Sequence, residues 1–204
     1  MTESRSEPTV ARKIILASGS PRRAELLARM GYAFDVVVPR IDERSRPGAD
    51  PAAEAVRLAV AKADAAARLG APGIVVAADT LCALEGEVIG KPRDREHARA
   101  MLRRLSGTRH HVITGVCVLD TRTARRVAES VSTAVTMRPM TEQQIEAYVS
   151  SGEADGKAGA YAIQETADRY VVRLEGSFDN VVGLPTERLA EILDAFGVHP
   201  RGTQ

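Results

Sequence analysis

The chain has no tryptophan, and its aromatic residues make up only 3% of 204 positions. Stacking platforms for single-stranded nucleic acid are therefore poorly supplied. Charge of one sign is also missing: 28 basic residues face 27 acidic ones, a formal net charge of +1. A broad nucleic-acid-binding face is not implied, although a local basic pocket is compatible with that balance. No apolar run approaches the roughly 20 residues of a membrane span. The opening "MTESRSEPTVAR" lacks the apolar core of a signal peptide and reads as a mobile tail over residues 1–12. Only Cys82 and Cys117 are present, far apart and each in an apolar stretch. They read as buried thiols in a cytoplasmic protein rather than as a disulfide.

No repeat, low-complexity linker or composition shift divides residues 13–204, so they read as a single domain, with two lobes about a cleft as the alternative arrangement. Strands are expected at Ile14–Ala17 and Phe34–Val38. Helices are expected at Pro21–Met30, closed by Gly31, and from about Pro51 to Leu69, closed by Gly70. "GIVVAAD" has the continuous apolar character of a buried strand, and "LCALEGEVIG" reads as a hairpin about Glu85-Gly86. A helix at Asp94–Leu105 precedes two β-rich segments, His110–Leu119 and Arg126–Met137. Thr141-x-x-Gln144 is a capping box opening a helix to Val149. "KAGAYAIQ" and "RYVVRLEG" follow, then a last helix from about Pro185 to Phe196. Strands alternate with helices but hairpins interrupt them. The fold class is α/β, with a mixed, twisted sheet, flanking helices and a central cleft.

Four charges stand out of place. In "KIILASGSPRR", Ser20 and Pro21 mark a helix start, which puts Arg22 and Arg23 in the first turn. Cations there oppose the helix dipole by about 0.3–1 kcal/mol each unless something negative answers them. Backbone N–H groups of Ser-Gly-Ser together with two guanidinium groups would suit a phosphate. A surface helix with both arginines in water is the plainer alternative. No GxxxxGK[ST] loop is present. Lys62 is the second. At 100° per residue, Glu54, Arg57, Asp64 and Arg68 cluster on one face expected to meet solvent. Lys62 lies about 80° outside it, beside Leu58, Ala65 and Leu69, where it must either snorkel or meet a buried anion. Asp79 ends the apolar run "IVVAAD", a place where α/β sheets gather ligands. Its carboxylate is a candidate metal ligand or proton acceptor, or else a turn residue. Lys91 in "IGKPRD" is held in an extended loop before a helix. Taken together, these cations and the acid suit a polyphosphate and a metal ion, with Glu43 in "RIDE" as a second carboxylate.

Other chemistries lack their residues. His110 and His111 are adjacent, so a strand sends them to opposite faces. No zinc-type His/Cys cluster and no G-x-S-x-G is present.

The segments "LASGSPRR", "RIDE", "RLAVAKA", "VVAADT", "GKPRD", "MLRRLSG", "YVSSGE", "DGKAGAYAIQ" and "NVVGLP" together resemble the Maf family of nucleoside triphosphate pyrophosphatases, from about Lys13 to Phe196. The resemblance implies an α/β fold related to that of the inosine triphosphate pyrophosphatases, a homodimer and a cytoplasmic enzyme. It implies hydrolysis of nucleoside triphosphates to monophosphate and pyrophosphate with a divalent cation, magnesium or manganese. That activity would clean nucleotide pools, and the family is linked to arrest of septum formation. Asp79 matches the family's proton acceptor. Ser18, Arg22 and Arg23 match its phosphate-site serine and arginines, Lys62 and Lys91 its two lysines, and Glu43 its acidic, metal-side residue. Arg22, Thr80 and Gln164 match the branch acting on dTTP and UTP; the 7-methyl-GTP branch has tryptophan, glutamine and glutamate there. "ETADR" replaces the glycine-rich turn that many relatives carry after Gln164. The alternatives are a nucleotide-sensing binding protein acting on septum formation and a purine-directed pyrophosphatase.

Overall fold

A computed structural model describes residues 12–70, 72–164 and 169–200. Seven strands form one sheet: β1 (Ile14–Leu16), β2 (Phe34–Val36), β3 (Ile74–Leu84), β4 (Glu87–Ile89), β5 (Arg109–Asp120), β6 (Arg126–Met137) and β7 (Val171–Glu175). The helices are α1 (Pro21–Arg29), α2 (Pro51–Arg68), α3 (Arg95–Leu105), α4 (Glu142–Ser150), α5 (Phe178–Val182) and α6 (Thr186–Ala195). The sheet runs β2-β1-β3-β5-β6-β7, with β4 paired to β3 off that path. β1 is parallel to β2 and β3, while the other pairings are antiparallel. The expected mixed α/β sheet is present. Among the described residues, no helix is long and apolar enough to cross a membrane.

Helix ends follow local chemistry. Pro21 opens α1, although Ser20 makes no side-chain cap; its N–H instead donates to Ser18 Oγ at 3.2 Å. Asp50 and Asp94 cap α2 and α3, and both halves of the Thr141–Gln144 box form on α4. The β3–β4 turn places Glu85 and Gly86 at φ +53° and +82°, the pair of left-handed conformations of a type I′ hairpin turn.

One face of the sheet packs Ile14, Leu16, Val76 and Ala78 against Leu26 and Leu27 of α1 and Leu189 and Leu193 of α6. The other face packs Val75, Ala77 and Cys117 against Ala59, Ala63 and Ala66 of α2. This alanine stripe lets α2 lie close to the strands. A third core lies toward the β4 end, where α3 and α4 cover Cys82, Leu84 and Val112. Both cysteines are buried and free, as expected.

Two expectations need correction. Glu54 is not on a solvent face. It is 2% exposed, because the 42–50 loop covers it: Arg46 N–H donates to its Oε1 at 3.0 Å, and Arg57 bonds both its oxygens. Asp79 does not end its strand either. β3 continues five residues further, into the hairpin with β4. At the other boundary, Arg12, assigned to the tail, donates to the Phe196 carbonyl at 3.0 Å.

Candidate active site

The sheet itself creates the cleft. β5 pairs with one edge of β3 from Ile74 to Ala83. The opposite edge pairs with β1 only as far as Val76 and with β4 only from Cys82. Between them neither strand covers β3, and Asp79 and Thr80 lie in that gap. They are neighbours on a strand, so they point to opposite faces. Asp79 faces α2 and Thr80 faces α1.

Asp79 is 7% exposed and Lys62 6%. Lys62 Nζ donates to Asp79 Oδ1 at 2.6 Å and lies 2.8 Å from Glu43 Oε1. Lys91 Nζ reaches the other oxygen of Glu43 at 2.9 Å. Lys62 therefore meets a buried anion rather than snorkelling. Partial burial of Glu43 raises its pKa, but the bonds from Lys62 and Lys91 outweigh this and bring it down to about 2. An ammonium has three donors, so Lys62 keeps one for a ligand.

The two first-turn arginines divide. Arg22 stays partly exposed on the cleft wall. Arg23 turns inward: Nε donates to Gly183 O at 2.7 Å, Nη1 to Ser18 Oγ at 3.3 Å and Nη2 to Thr80 Oγ1 at 3.0 Å. Burial lowers the pKa of this guanidinium, and the carboxylates of Asp79 and Glu43 oppose that shift. Arg23 thus ties the start of α1 to β3 and to the α5–α6 turn. A Cβ on Gly183 (φ +127°) would lie 3.5 Å from Arg23 Nε and from Thr80 Oγ1.

Ser18, Arg22, Arg23, Glu43, Lys62, Asp79, Thr80, Lys91 and Gln164 all line one cleft of about 460 Å³. Lys157 and Tyr161 join them. "DGKAGAYAIQ" marked that segment, yet only Gln164 was singled out, because nothing local separates a cleft lysine from a surface one. Tyr161 Oη bonds the fully buried His110 Nε2 at 2.7 Å, whereas His111 is exposed. Of the "ETADR" departure, residues 165–168 lie outside the described residues.

Five cations and two carboxylates face the space, so the cleft favours an anion. Among the described residues, no group of three or more His, Cys, Asp or Glu side chains gathers as a metal cage. The two carboxylates joined through Lys62 are an all-oxygen donor pair, which fits a magnesium-type ion that takes its remaining ligands from phosphates and water. Glu43, the more exposed of the two, would hold it beside Asp79.

Fold and site together define an α/β protein with a cleft for an anionic ligand, split into the edge of its central strand. Residues 13–196 match the Maf-like protein family. The chain belongs to that family. It is 46% identical over 187 residues to the dTTP/UTP pyrophosphatase of Vibrio cholerae, covering 90% of this chain and 98% of that one. It is 47% identical over 191 residues to the enzyme of the same name from Anaeromyxobacter dehalogenans, covering 92% and 96%. The corresponding Pelotomaculum thermopropionicum protein is 44% identical, covering 91% and 97%. Among solved structures, the Staphylococcus aureus Ham1 protein aligns at a TM-score of 0.44 and 16% identity, covering 62% of this chain and 72% of that one.

Proposed function

We propose that this protein hydrolyses pyrimidine nucleoside triphosphates, dTTP and UTP foremost, to nucleoside monophosphate and pyrophosphate. One observation carries the reading: Lys62 holds Asp79 and Glu43 together inside a cleft whose other charged lining residues are all cations. The names of the relatives supply the substrate class.

In this reading, Arg22 and Lys91 draw in the phosphate chain, and the spare donor of Lys62 takes one of its oxygens. Asp79 accepts a proton from the attacking water. The water oxygen bonds the α-phosphorus, the bond to the bridging oxygen breaks, and pyrophosphate leaves with that electron pair. The Ser18 hydroxyl and the backbone N–H of Gly19 offer neutral donors just before α1. A divalent cation held by Glu43 would supply positive charge against the phosphates, leaving Asp79 as the proton acceptor. Thr80 and Gln164 line the cleft as candidates for the base edge. A homodimer in the cytoplasm completes the reading, on the strength of family resemblance.

The test is product analysis over a panel of standard and modified triphosphates, with and without magnesium or manganese. Pyrophosphate and monophosphate from dTTP and UTP are expected. Orthophosphate with diphosphate remaining overturns the reading. Tight nucleotide binding without turnover favours a sensor instead.

A further inference from the structure

The Thr80 hydroxyl belongs to a chain of hydrogen bonds whose direction can be counted. Thr114 Oγ1 lies 2.9 Å from the carbonyl oxygen of Asn180. A carbonyl only accepts, so the one hydroxyl proton of Thr114 goes there. Thr80 Oγ1 lies 2.9 Å from Thr114 Oγ1. With the Thr114 proton already placed, Thr80 is the donor in that contact. On its other side, Arg23 Nη2 donates to Thr80 Oγ1 at 3.0 Å. Thr80 has therefore given away its proton and accepted one hydrogen bond. One lone pair is left.

The reverse direction is closed off. It would leave Thr114 Oγ1 and Asn180 O 2.9 Å apart with no hydrogen between them, where Thr114 is 0% exposed. Asn180 O keeps the Gly183 N–H at 3.1 Å in either direction, but two oxygens facing at hydrogen-bond distance without a proton repel, and a donor–acceptor contact replaces that repulsion. The far end of the chain is anchored as well. Asn180 is 0% exposed, and its Nδ2 donates to Val112 O and to Thr133 Oγ1, each at 3.0 Å. Its backbone N–H meets Ser177 Oγ at 3.3 Å. Asn180 is thus held by its own side chain and by the cap of α5, so its carbonyl stays aimed at Thr114.

Thr80 is partly exposed and lines the cleft, so what it presents there is an acceptor alone. Resting on the proposed pyrimidine triphosphate activity, we infer that the Thr114 relay makes Thr80 an acceptor for the ring N3–H of uracil and thymine, with Thr114 as the positioning residue that excludes cytosine. The chemistry selects that atom. Attached to the sugar through N1, uracil and thymine carry a single polar hydrogen, on N3, whereas cytosine has a lone pair at that position. An acceptor-only hydroxyl pairs with the first and faces the second oxygen to nitrogen. A freely turning threonine would serve both.

The experiment compares kcat/KM for UTP and CTP in the wild type, Thr114→Val and Thr114→Ser, with thermal melting as the control for folding. The wild type should prefer UTP by at least about tenfold, the scale of one lost or mismatched hydrogen bond. Thr114→Val removes the oxygen that takes the Thr80 proton, which frees Thr80 to donate. The UTP-to-CTP ratio should then fall toward one, mainly through gain on CTP, while Thr114→Ser keeps the wild-type ratio. If Thr114→Val does not fold, Thr80→Val supplies the second reading, since deleting the hydroxyl should also abolish the preference. A folded Thr114→Val, or a Thr80→Val, with an unchanged ratio overturns the proposal. A wild type that turns over UTP and CTP equally overturns it and leaves the pyrophosphatase activity standing. A wild type inactive on both dTTP and UTP overturns both.

Discussion

Gly115 stands directly opposite Asp79 across β3 and β5. A Cβ on Gly115 would lie 2.2 Å from the Ala55 carbonyl oxygen and 2.6 Å from Val56 N. The bare glycine is what lets α2 settle onto the sheet, and α2 carries Lys62 to Asp79. Gly115→Ala must push the helix away. Overpacking of this kind costs about 1–3 kcal/mol, and Lys62 moves with its helix. The expected result is a lower urea midpoint with an unchanged slope, together with reduced kcat. Wild-type stability and turnover in the variant would show that α2 accommodates the methyl group.

Lys62→Met removes the cation between Asp79 and Glu43. Breaking one member of a buried pair costs about 3–5 kcal/mol; the half-exposed Glu43 places this one at the low end. Melting temperature at neutral pH should drop, and added magnesium should recover part of the loss by replacing the missing charge. A variant that melts like wild type and ignores magnesium contradicts the bridging role.

The two arginines of α1 should behave differently. Arg22→Ala is expected to raise KM with near-native melting, and Arg22→Lys to restore only part, because an ammonium lacks the planar fork of donors. Arg23→Lys should lower the melting temperature, since three directed bonds from Arg23 join separate segments. Equal effects on stability from both positions would refute this division.

His110 gives the molecule an acid-sensitive element. Burial, with a smaller contribution from the charge of His111, lowers its pKa from 6.5 to about 4. The native state keeps it neutral while the unfolded chain takes up a proton. Between pH 6.5 and 4 the unfolded state therefore binds more protons, and stability falls as pH falls. At about 1.4 kcal/mol per pKa unit, the full loss is about 3 kcal/mol. Carboxylates such as Glu43, lowered from 4.5 to about 2, lose their contribution as pH falls between those values, mostly below that window. Urea unfolding at pH 7 and pH 5 should show a smaller difference in His110→Asn than in wild type. Identical differences would mean that His110 does not titrate on unfolding.

Most helix starts were legible because caps and prolines are local signals. The burial of Lys62 was legible from its angle on α2. Asp79 was misplaced at a strand end because the apolar run pauses at Asp79-Thr80. That pause marks the uncovered edge between β1 and β4, which only the assembled sheet reveals. Glu54 looked solvent-facing until the 42–50 loop covered it. α5 is five residues long, too short for periodicity to register. The link between Thr114 and Asn180 joins residues 66 apart in sequence, and no motif announces it. The separate duties of Arg22 and Arg23 were equally hidden, since both carry the same side chain in the same turn.

Asp79→Asn tests the central claim most directly. Asparagine keeps the shape and one acceptor oxygen but cannot accept the proton of the attacking water. Turnover of dTTP is measured beside thermal stability with and without nucleotide. The account predicts a loss of kcat on the order of 10²-fold or more, with a folded protein that nucleotide still stabilises. Turnover within a few fold of wild type, or activity lost only because the variant unfolds, would contradict it.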